Sequence, residues 1–587
     1  MTVTLTQLNT CDATNFVSAL KGVYEHSPWV AQRAAAQRPF ATLAALKLAL
    51  QDGVKNASEA EQLGLIRAHP ELAGKVALAG SLSTESRSEQ ARAGLNHCSP
   101  AELAALQQLN ADYHAKFSFP FIVAVKGPDG FGLSRQTIIA IFKRRLRNQR
   151  ADELAECLRQ IGRIAELRLN DVLGHKLEFG HTILAWADAL ALWSDVEDGL
   201  TCAFMTPAHR NTAAQLAEWM RNAGLQTEID AVGNVVGRYR CNDPHAKTLL
   251  TGSHYDTVRN GGKYDGRIGI LVPIAVLRQL HEHGEKLPFH VEIIGFAEEE
   301  GVRFQSTFLG SNAVIGEFSP ALLEQVDADG MTMRAALIAA GHDPAPERIT
   351  ACAHQSADLL GFIEIHIEQG PVLLGRDMPV GIVSSIAGSL RYQIVLTGVA
   401  GHSGTTPMTM RRDAAAAAAE IILLVERRCS QAPTLVGTVG QLQVPHGSIN
   451  VIAGTCNLSL DIRAADDATR DAAAADVLQQ IAAICAQRNI DVALERVEVS
   501  AAAPCAPWLM HQLALAVERA GIPAVTLPSG AGHDAMMLAK ITDVAMLFMR
   551  CGNGGISHNR LETITADDTE IAAQIFLDFL RSFRSAR

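Results

Sequence analysis

The sequence has few charged residues, few prolines and no long apolar run, and each scarcity excludes a class of protein. Of its 587 residues 19% are charged, 22 are proline and 48% are hydrophobic, which is too much apolar material and too little charge for a disordered chain. No run approaches the roughly 18 consecutive apolar residues that a membrane span requires. Residues 1–15 lack the cationic start and apolar stretch of a secretion signal, so we expect a cytoplasmic protein without membrane contact.

Cysteine pairs and an excess of positive charge are also missing. The 11 cysteines are scattered without a C-x-x-C pair, which is typical of reduced structural thiols rather than of a disulfide framework or a thiolate zinc site. The net charge of -11 argues against nucleic acid as a partner, because phosphate binding requires a cationic surface. We therefore expect small-molecule partners and no nucleic acid.

The charge is divided unevenly along the chain. Residues 1–172 contain 20 Lys and Arg against 16 Asp and Glu, whereas the remainder contains 31 against 46, which indicates two differently charged bodies. The densest basic stretch, residues 143–150, lacks interleaved aromatic residues and precedes an acidic helical segment. We interpret this stretch as a solvated helix face rather than as a nucleic-acid patch.

Hydrophobic periodicity predicts a multidomain protein, because the chain shows three different sequence patterns in turn. Apolar residues repeat at helical spacing throughout residues 1–172, which predicts an all-α domain. Apolar strands then alternate with helical segments, which predicts an α/β domain over 175–385 and 503–587. Between them, residues 386–502 show a β-α-β-β-α-β order, which predicts an inserted two-layer α+β sandwich.

Metal-competent side chains follow apolar strands in the α/β part. Ligands bind where the strands of open α/β sheets end, and imidazole and carboxylate groups suit zinc or manganese. A bridging carboxylate lets two ions share one activated water, while an unbound carboxylate accepts the proton of that water. The candidate groups are His254, Asp265, the run Glu298 to Glu300, His366 and His558. They predict a two-metal site in which Glu299 and Glu300 offer one base and one ligand.

From about residue 180 to 587 the chain resembles the dinuclear metal amidohydrolases that include allantoate amidohydrolase, N-carbamoyl-L-amino acid hydrolase and ureidoglycolate hydrolase. The motifs GSHYDT, YDG, EEEGVRF, HIEQGP, GHSGTTPM and SHN occur in the order of that family. The resemblance implies a catalytic domain like that of the zinc aminopeptidases, with two Mn²⁺ or Zn²⁺ ions per site. It implies Asp265 as the bridging ligand, Glu299 as the general base, and four terminal ligands, His254, Glu300, His366 and His558.

The same resemblance implies that the sandwich is a lid and dimerisation domain, so we expect a homodimer. His402, in GHSG, is the residue that stabilises the oxyanion, commonly across the dimer. Asn450 and Arg463 match positions that hold the substrate carboxylate, a task that suits a guanidinium fork. Gln369 and His533 match positions on the substrate side.

Residues 1–172 offer few chemical groups, but His69 and Glu89 on separate loops are a candidate acid/base pair. The motifs EHSPW, RAHPEL, S-x-x-EQ-x-x-AGL, FPFI and IA-x-x-RL resemble 2-oxo-4-hydroxy-4-carboxy-5-ureidoimidazoline (OHCU) decarboxylase, an all-helical enzyme without a cofactor. The resemblance implies His69 as the catalytic acid/base with Glu89 beside it. It also implies four substrate-binding residues: Pro70, Ser86, Gln90 and Arg168. Arg163 competes with Arg168 for the carboxylate contact.

The two resemblances together predict a bifunctional enzyme of urate breakdown that acts on small ureido substrates. The first domain would form (S)-allantoin, a separate allantoinase would open its ring, and the second part would hydrolyse allantoate to ureidoglycine or ureidoglycolate, releasing ammonia and CO2. Two alternatives stay open. The C-terminal part would act instead on an N-carbamoyl-L-amino acid or ureidoglycolate, or the N-terminal domain would be a non-catalytic binding module with residues 143–150 as its contact surface.

Overall fold

The computed structural model describes residues 3–40, 43–72, 98–125, 135–174 and 177–585. Their buried apolar side chains form separate clusters in an N-terminal helical unit, on the two faces of a large sheet, and in the inserted sandwich. This organisation confirms the predicted fold class. None of the helices in these ranges combines the length and the apolarity that a bilayer crossing requires.

The N-terminal unit is helical in all its described segments. Its helices are α1 (Leu5–Thr10), α2 (Ala13–Ala19), α3 (Pro28–Ala35), α4 (Leu43–Lys55), α5 (Glu59–Ala68), α6 (Pro100–Phe117), α7 (Arg135–Arg145) and α8 (Arg150–Leu173). Capping explains several ends: Ser58 and Ser99 each form a capping box with a glutamate three residues later, and α8 stops at Gly174 in the left-handed conformation. Helix α8 is buried along much of its length because it packs against both this unit and the next one.

A nine-stranded mixed sheet forms the centre of the second unit. Its strands are β1 (Gln226–Ile229), β2 (Val235–Tyr239), β3 (Thr248–His254), β4 (His290–Phe296), β5 (Leu359–Ile367), β6 (Val380–Ile386), β14 (Ala503–Pro504), β15 (Thr526–Ser529) and β16 (Val544–Met549). The order is β1-β2-β4-β3-β5-β16-β6-β14, with β15 paired to β6. Strands β4, β3, β5 and β16 are parallel, and β4 and β16 are buried along their whole length, as both-sided burial of a parallel sheet requires.

Helices cover both faces of this sheet. They are α9 (Gly180–Leu190), α10 (Pro207–Asn222), α11 (Ile268–Glu282), α12 (Leu309–Val314), α13 (Met333–Ala339), α14 (Pro346–Thr350), α15 (Val372–Gly375), α18 (Pro507–Arg519), α19 (Ala535–Leu538) and α20 (Ala566–Ser582). The parallel strands end side by side: His254 lies opposite Phe296 in the ladder of β3 and β4, and His366 lies opposite Phe548 in that of β5 and β16. The sequence motifs rich in histidine and carboxylate therefore meet at one edge of the sheet.

The inserted unit contains a five-stranded sheet and a separate two-stranded sheet, both built of antiparallel pairs, and two helices that cover the larger sheet. It contains β7 (Gly388–Thr397), β8 (Gly401–His402), β9 (Leu435–Thr438), β10 (Leu442–Gln443), β11 (Val451–Ile452), β12 (Thr455–Ala464) and β13 (Asp491–Ser500), with α16 (Ala414–Cys429) and α17 (Asp467–Arg488). Buried and half-buried residues alternate along β12, as in a strand with one covered face. Strands β9 and β10 are separate, because Gln441 leaves the regular ladder and its N–H donates to Ser459 Oγ at 2.9 Å.

The interpretation of residues 143–150 as a solvated helix face is wrong for part of the run. Arg145 is only 1% exposed; its guanidinium bonds Glu153 Oε1 at 2.6 Å and the Ile122 carbonyl at 2.6 Å. Arg147 is exposed and pairs with Glu197 of the second unit at 2.7 Å. Periodicity alone could not distinguish these positions, because the partners lie far away in the sequence.

Buried ion pairs join the N-terminal helical unit to the second unit. Lys47 of α4 pairs with Asp567 of α20 and lies 3.6 Å from Glu166 of α8, and all three side chains are buried. Glu166 also accepts the Ala566 N–H at 3.1 Å. Burial raises the pKa of Glu166 to about 7 despite the attraction of Lys47. The lysine therefore neutralises carboxylates contributed by both units.

We expect Lys47→Ala to lower the melting temperature by several degrees. The substitution leaves two buried carboxylates without their counterion, and breaking a buried pair in this way costs about 3–5 kcal/mol. Thermal unfolding followed by circular dichroism measures the shift. Arg147→Ala is the matched control, since it breaks an exposed pair worth about 1 kcal/mol or less. Equal shifts in the two variants would contradict this account of the interface.

Candidate active sites

The centre of the candidate metal site is the buried carboxylate of Asp265. Oδ1 lies 3.9 Å from His254 Nε2 and 3.3 Å from His366 Nε2, and Oδ2 lies 3.2 Å from His558 Nε2. His254 and His366 are buried, whereas the His558 side chain is 51% exposed. One carboxylate therefore faces three imidazoles: Oδ1 lies near His254 and His366, and Oδ2 lies near His558.

Glu299 and Glu300 complete this cluster. Glu300 Oε1 is 3.5 Å from His558 Nε2, and both glutamates group with His254 so that their ligand atoms lie within 4.8 Å of one another. His254, Asp265 and His366 form a second such group, and Asp265, Glu300 and His558 form a third. The two groups that contain Asp265 have no other member in common, which is the arrangement that a bridging carboxylate requires.

The donor set fits divalent metal ions. Asp265 Oδ2 is buried and has no hydrogen-bond partner with suitable geometry among the described residues, although His558 is near it. Imidazole nitrogens and carboxylate oxygens are the ligands that zinc and manganese accept. His254, Asp265, Glu300, His366 and His558 would hold the two ions, with Glu299 beside them.

Electrostatics in the cluster also favours bound cations. Burial, reinforced by the neighbouring Glu300, raises the pKa of Glu299 well above its usual range. Burial likewise raises the pKa of Glu300 to about 7. Burial alone would raise the pKa of Asp265 too, but the close approach of His558 and the charges of His366 and His254 hold it below its usual range. The site therefore brings together carboxyl groups whose ionised forms are stabilised by nearby positive charge.

A glycine permits the close approach of the Asp265 loop to β3. Gly266 has φ +65°, and a Cβ at this position would lie 2.4 Å from His254 Nε2. Any side chain there would displace the imidazole, so the glycine of the Y-D-G sequence is required for steric reasons.

Two carboxylates that position the ligands were not among the predicted site residues. Glu562 Oε1 accepts the N–H groups of Tyr264 at 2.9 Å and Asp265 at 3.2 Å, and its Oε2 accepts the Ser557 hydroxyl at 2.8 Å. It therefore ties the loop of Asp265 to the loop of His558. Asp256 accepts the N–H groups of Glu299 and Glu300, both at 3.1 Å, and lies 3.3 Å from His254 Nδ1.

Sequence signals for both carboxylates existed. Asp256 lies inside GSHYDT, and Glu562 comes four residues after His558. An acidic residue in a loop usually indicates a solvated surface, and only the folded chain shows that these two are buried.

Gln369 and His533 both lie against the metal cluster. Gln369 Nε2 donates to Asp265 Oδ1 at 2.9 Å and lies 3.3 Å from His558 Nε2. His533 is buried with its ring centroid 4.5 Å from that of His366, and its Nε2 is 2.8 Å from Ser529 Oγ. The substrate-side roles of both remain predictions, and His533 also groups with Glu364 and His366 as a potential ligand.

The three predicted site residues of the sandwich lie in two different surroundings. Arg463 reaches the catalytic unit, where its Nη1 donates to the Gly530 carbonyl at 2.9 Å. His402 lies exposed on β8, and Asn450 lies beside it, its carbonyl accepting the Ser403 N–H at 3.0 Å. Within the described part of the chain, no hydrogen bond or ion pair joins His402 or Asn450 to the metal ligands.

The candidate decarboxylase site is centred on His69 at the end of α5. His69 is 6% exposed, its Nδ1 is 3.0 Å from the Leu65 carbonyl, and its Nε2 has no hydrogen-bond partner among the described residues. Burial lowers the pKa of His69 to about 4, so the ring is neutral at neutral pH. The bond to a carbonyl requires a proton on Nδ1, which leaves Nε2 as a base. Pro70 follows directly, whereas Ser86, Glu89 and Gln90 lie outside the described residues.

The two candidate arginines of α8 have different surroundings. Arg168 bonds Glu25 Oε2 at 2.6 Å and the Gly22 carbonyl at 3.0 Å, and the charges of Arg168 and Glu25 both act on the His69 ring. Arg163 instead pairs with Asp188 of the catalytic unit. The charge of Arg168, rather than that of Arg163, therefore lies close to His69.

Comparisons with known proteins agree with the motifs. The family model of OHCU decarboxylase matches residues 9–170, and that of peptidase family M20/M25/M40 matches residues 250–582. An allantoate deiminase of Arabidopsis thaliana is 39% identical over 420 residues, which cover 66% of this chain and 79% of that protein. An N-carbamoyl-L-amino acid amidohydrolase of Geobacillus stearothermophilus is 37% identical over 377 residues, which cover 64% of this chain and 91% of that protein.

A solved structure shows the same fold. The amidase of the hydantoinase/carbamoylase family from Burkholderia multivorans superposes with a TM-score of 0.65 at 31% identity, covering 70% of this chain and 99% of that one. The two family resemblances inferred from the motifs are confirmed.

We expect Glu562→Ala to weaken metal retention. The substitution frees the loops of Asp265 and His558 from each other, and loss of such a supporting contact typically costs about 10–100-fold in metal affinity. Chelator competition followed by metal analysis measures the change. Glu562→Gln keeps an acceptor oxygen, so its metal affinity should lie between that of Glu562→Ala and that of the unchanged chain. Glu282→Ala, at an exposed position on α11, should retain metal normally. Normal retention in Glu562→Ala would contradict the positioning role.

Proposed function

We propose that this chain, which belongs to peptidase family M20/M25/M40 and also contains an OHCU decarboxylase domain, catalyses two steps of urate breakdown. Its N-terminal domain decarboxylates OHCU to (S)-allantoin. Its C-terminal part hydrolyses allantoate to ureidoglycine or ureidoglycolate with release of ammonia and CO2. The observation that carries the hydrolase assignment is the carboxylate of Asp265 facing three imidazoles beside Glu299 and Glu300.

The choice of allantoate rests on the fused domain. Relatives named as allantoate deiminase and as N-carbamoyl-L-amino acid amidohydrolase are similar to this chain to nearly the same degree, 39% and 37%. The metal ligands therefore do not select the substrate. An OHCU decarboxylase domain in the same chain supports allantoate, because (S)-allantoin becomes allantoate after one ring opening.

The residues of the chain divide the hydrolytic work. Divalent ions, when bound, supply Lewis acidity and an activated water. Glu299 accepts the proton of that water and passes it to the leaving nitrogen. Arg463 and Asn450 bind the substrate carboxylate, and His402 donates a hydrogen bond to the developing oxyanion.

We expect Glu299→Gln to lower allantoate hydrolysis by about 10²–10⁴-fold while keeping its metal, because the amide cannot carry the proton. Ammonia release with allantoate, N-carbamoyl amino acids and ureidoglycolate measures both the loss and the substrate preference. Glu298→Gln, at the buried neighbouring position, is the control. A preference for a carbamoyl amino acid would replace the allantoate assignment with its alternative.

We also propose a homodimer formed through the sandwich. His402 and Asn450 are exposed within one chain, so a second copy is the available way to bring them to a metal site. Their surroundings are apolar as well as exposed: Ile449 is fully exposed, and Met408 and Met410 are 75% and 73% exposed. Exposed apolar side chains of this kind mark interaction surfaces.

Mixing two inactive variants tests the shared site. We expect Glu299→Gln and His402→Ala each to be inactive alone and to recover part of the activity when refolded together, because a heterodimer contains one intact site. Ammonia release from the mixture measures recovery, and each variant mixed with itself is the control. Absence of recovery in a preparation that forms heterodimers would show that each site is completed within one chain.

The decarboxylase proposal rests on the neutral, buried His69. Loss of CO2 from OHCU leaves a carbanion delocalised into the adjacent carbonyl, which must be protonated on one face. His69 Nε2 first takes a proton from the substrate hydroxyl and then delivers it to the carbanion, and Arg168 binds the anionic substrate. No cofactor is required in this proposal, because the carbonyl itself accepts the electron pair.

We expect the full chain to produce (S)-allantoin from fresh products of urate oxidation, and His69→Asn to lose this activity by about 10²–10⁴-fold. Circular dichroism of the allantoin formed distinguishes the enzymatic product from the racemic spontaneous one. His114→Asn, at an exposed position on α6, should behave like the unchanged chain. Racemic product from the unchanged chain would identify the domain as a binding module.

A further inference from the structure

A cavity of about 330 Å³ lies between the helical unit and the catalytic unit. The helical unit contributes residues of α4, α7 and α8 to its wall, and the catalytic unit contributes the segments around Lys263 and Arg560. The volume is at the lower end of the range for small-molecule sites. The metal ligands and His69 are not among its lining residues, so it is distinct from both candidate active sites.

Four positive side chains converge on one side of this cavity: Arg144, Arg159, Arg163 and Lys263. They share two carboxylates, those of Glu156 and Asp188. Arg159 bonds Glu156 through two nitrogens, at 2.8 and 2.7 Å. Lys263 Nζ is 3.1 Å from Asp188 Oδ1, and Arg163 pairs with the other oxygen of the same carboxylate. The cluster therefore has two more positive than negative groups.

Arg144 is the member of this cluster without a direct ion pair among the described residues. It makes no hydrogen bond or ion pair with any described residue, and its Nε is completely buried. Burial lowers the pKa of its guanidinium, although the charges of Glu156 and Asp188 act in the opposite direction. A buried N–H without an acceptor is costly, and the neighbouring side chain in the sequence, Lys143, is exposed to solvent.

The other charged groups around the cavity already have partners. Arg145 pairs with Glu153, Arg560 pairs with Asp152 at 2.7 Å, and Glu166 is held by Lys47 and the Ala566 N–H. Near the mouth, Lys55 and Asp52 are both exposed, and their charges offset each other. The excess of positive charge is therefore confined to the cluster around Arg144.

We propose that this interdomain cavity binds a small dianion, such as a dicarboxylate, through Arg144 and the neighbouring Arg159, Arg163 and Lys263. Guanidinium forks bind carboxylate and phosphate oxygens in pairs, and a cavity with low-dielectric walls strengthens the attraction for anions. The ligand contacts both units at once and supplies the negative charge that the cluster lacks. This site does not depend on which substrate the catalytic unit hydrolyses.

Isothermal titration of the metal-loaded full chain with malonate tests the proposal. We compare the unchanged chain with Arg144→Gln and with the matched control Lys143→Gln, which removes a solvated charge from the same helix. Malonate that binds to the metal ions contributes equally in all three proteins. We expect Lys143→Gln to keep the affinity of the unchanged chain and Arg144→Gln to lose about tenfold or more, as for the loss of a charged hydrogen-bond partner.

Thermal unfolding gives a second readout that does not depend on calorimetric heats. Because Arg144 has no hydrogen bond or direct ion pair with a described residue, Arg144→Gln should fold and should melt at or above the temperature of the unchanged chain when no anion is added. Malonate should raise the melting temperature of the unchanged chain and of Lys143→Gln, and should raise that of Arg144→Gln less. Equal responses to malonate in all three proteins would overturn the proposal.

Two further anions identify the class of ligand. Inorganic phosphate binding more tightly than malonate would identify a phosphate site on the same residues, whereas malonate binding more tightly identifies a dicarboxylate site. Acetate, a monoanion, should bind much more weakly than both. Acetate binding as tightly as malonate would contradict the requirement for two negative charges.

Discussion

The constraint on which the catalytic unit depends is the burial of acidic groups at one edge of its sheet. Asp265, Glu299 and Glu300 are removed from water within a few ångströms of each other, and burial raises the pKa of both glutamates. Carboxylates in such surroundings require protons or cations. The parallel strands bring these groups together because β3, β4, β5 and β16 end side by side. His254 and His366 lie on β3 and β5, and His558 lies in the loop that follows β16.

The surrounding structure maintains this arrangement. Gly266 lets the Asp265 loop approach His254, Glu562 joins that loop to the loop of His558, and Asp256 holds the main chain of Glu299 and Glu300. None of these three needs to contact a substrate, yet each determines where a ligand lies. The same kind of charge pairing joins the units: Lys47 neutralises carboxylates of α8 and α20, and the Arg144 cluster combines side chains of α7, α8 and the loop that precedes Asp265.

Much of the fold could be predicted because it depends on local patterns. Apolar strands followed by His254 or Glu298 have a clear sequence signature, and in the structure β3 ends at His254 and β4 ends two residues before Glu298. The five candidate metal ligands could be named because their motifs are short and ordered. Glu562, Asp256 and Arg145 could not, because burial of a charged side chain depends on partners that are distant in sequence. The proposed roles of His402 and Asn450 would depend on a second copy of the chain, which one sequence does not describe.

A chelator experiment on one preparation tests the account most directly, because the two proposed activities share a chain but not a metal requirement. Allantoate hydrolysis and the formation of chiral allantoin are measured on the same sample before and after treatment with a chelator, and again after addition of Mn²⁺ or Zn²⁺. The account predicts that chelation abolishes hydrolysis, leaves chiral allantoin formation unchanged, and is reversed by the metal ion. Hydrolysis that persists after complete removal of metal, or decarboxylation that is lost with it, would contradict the account.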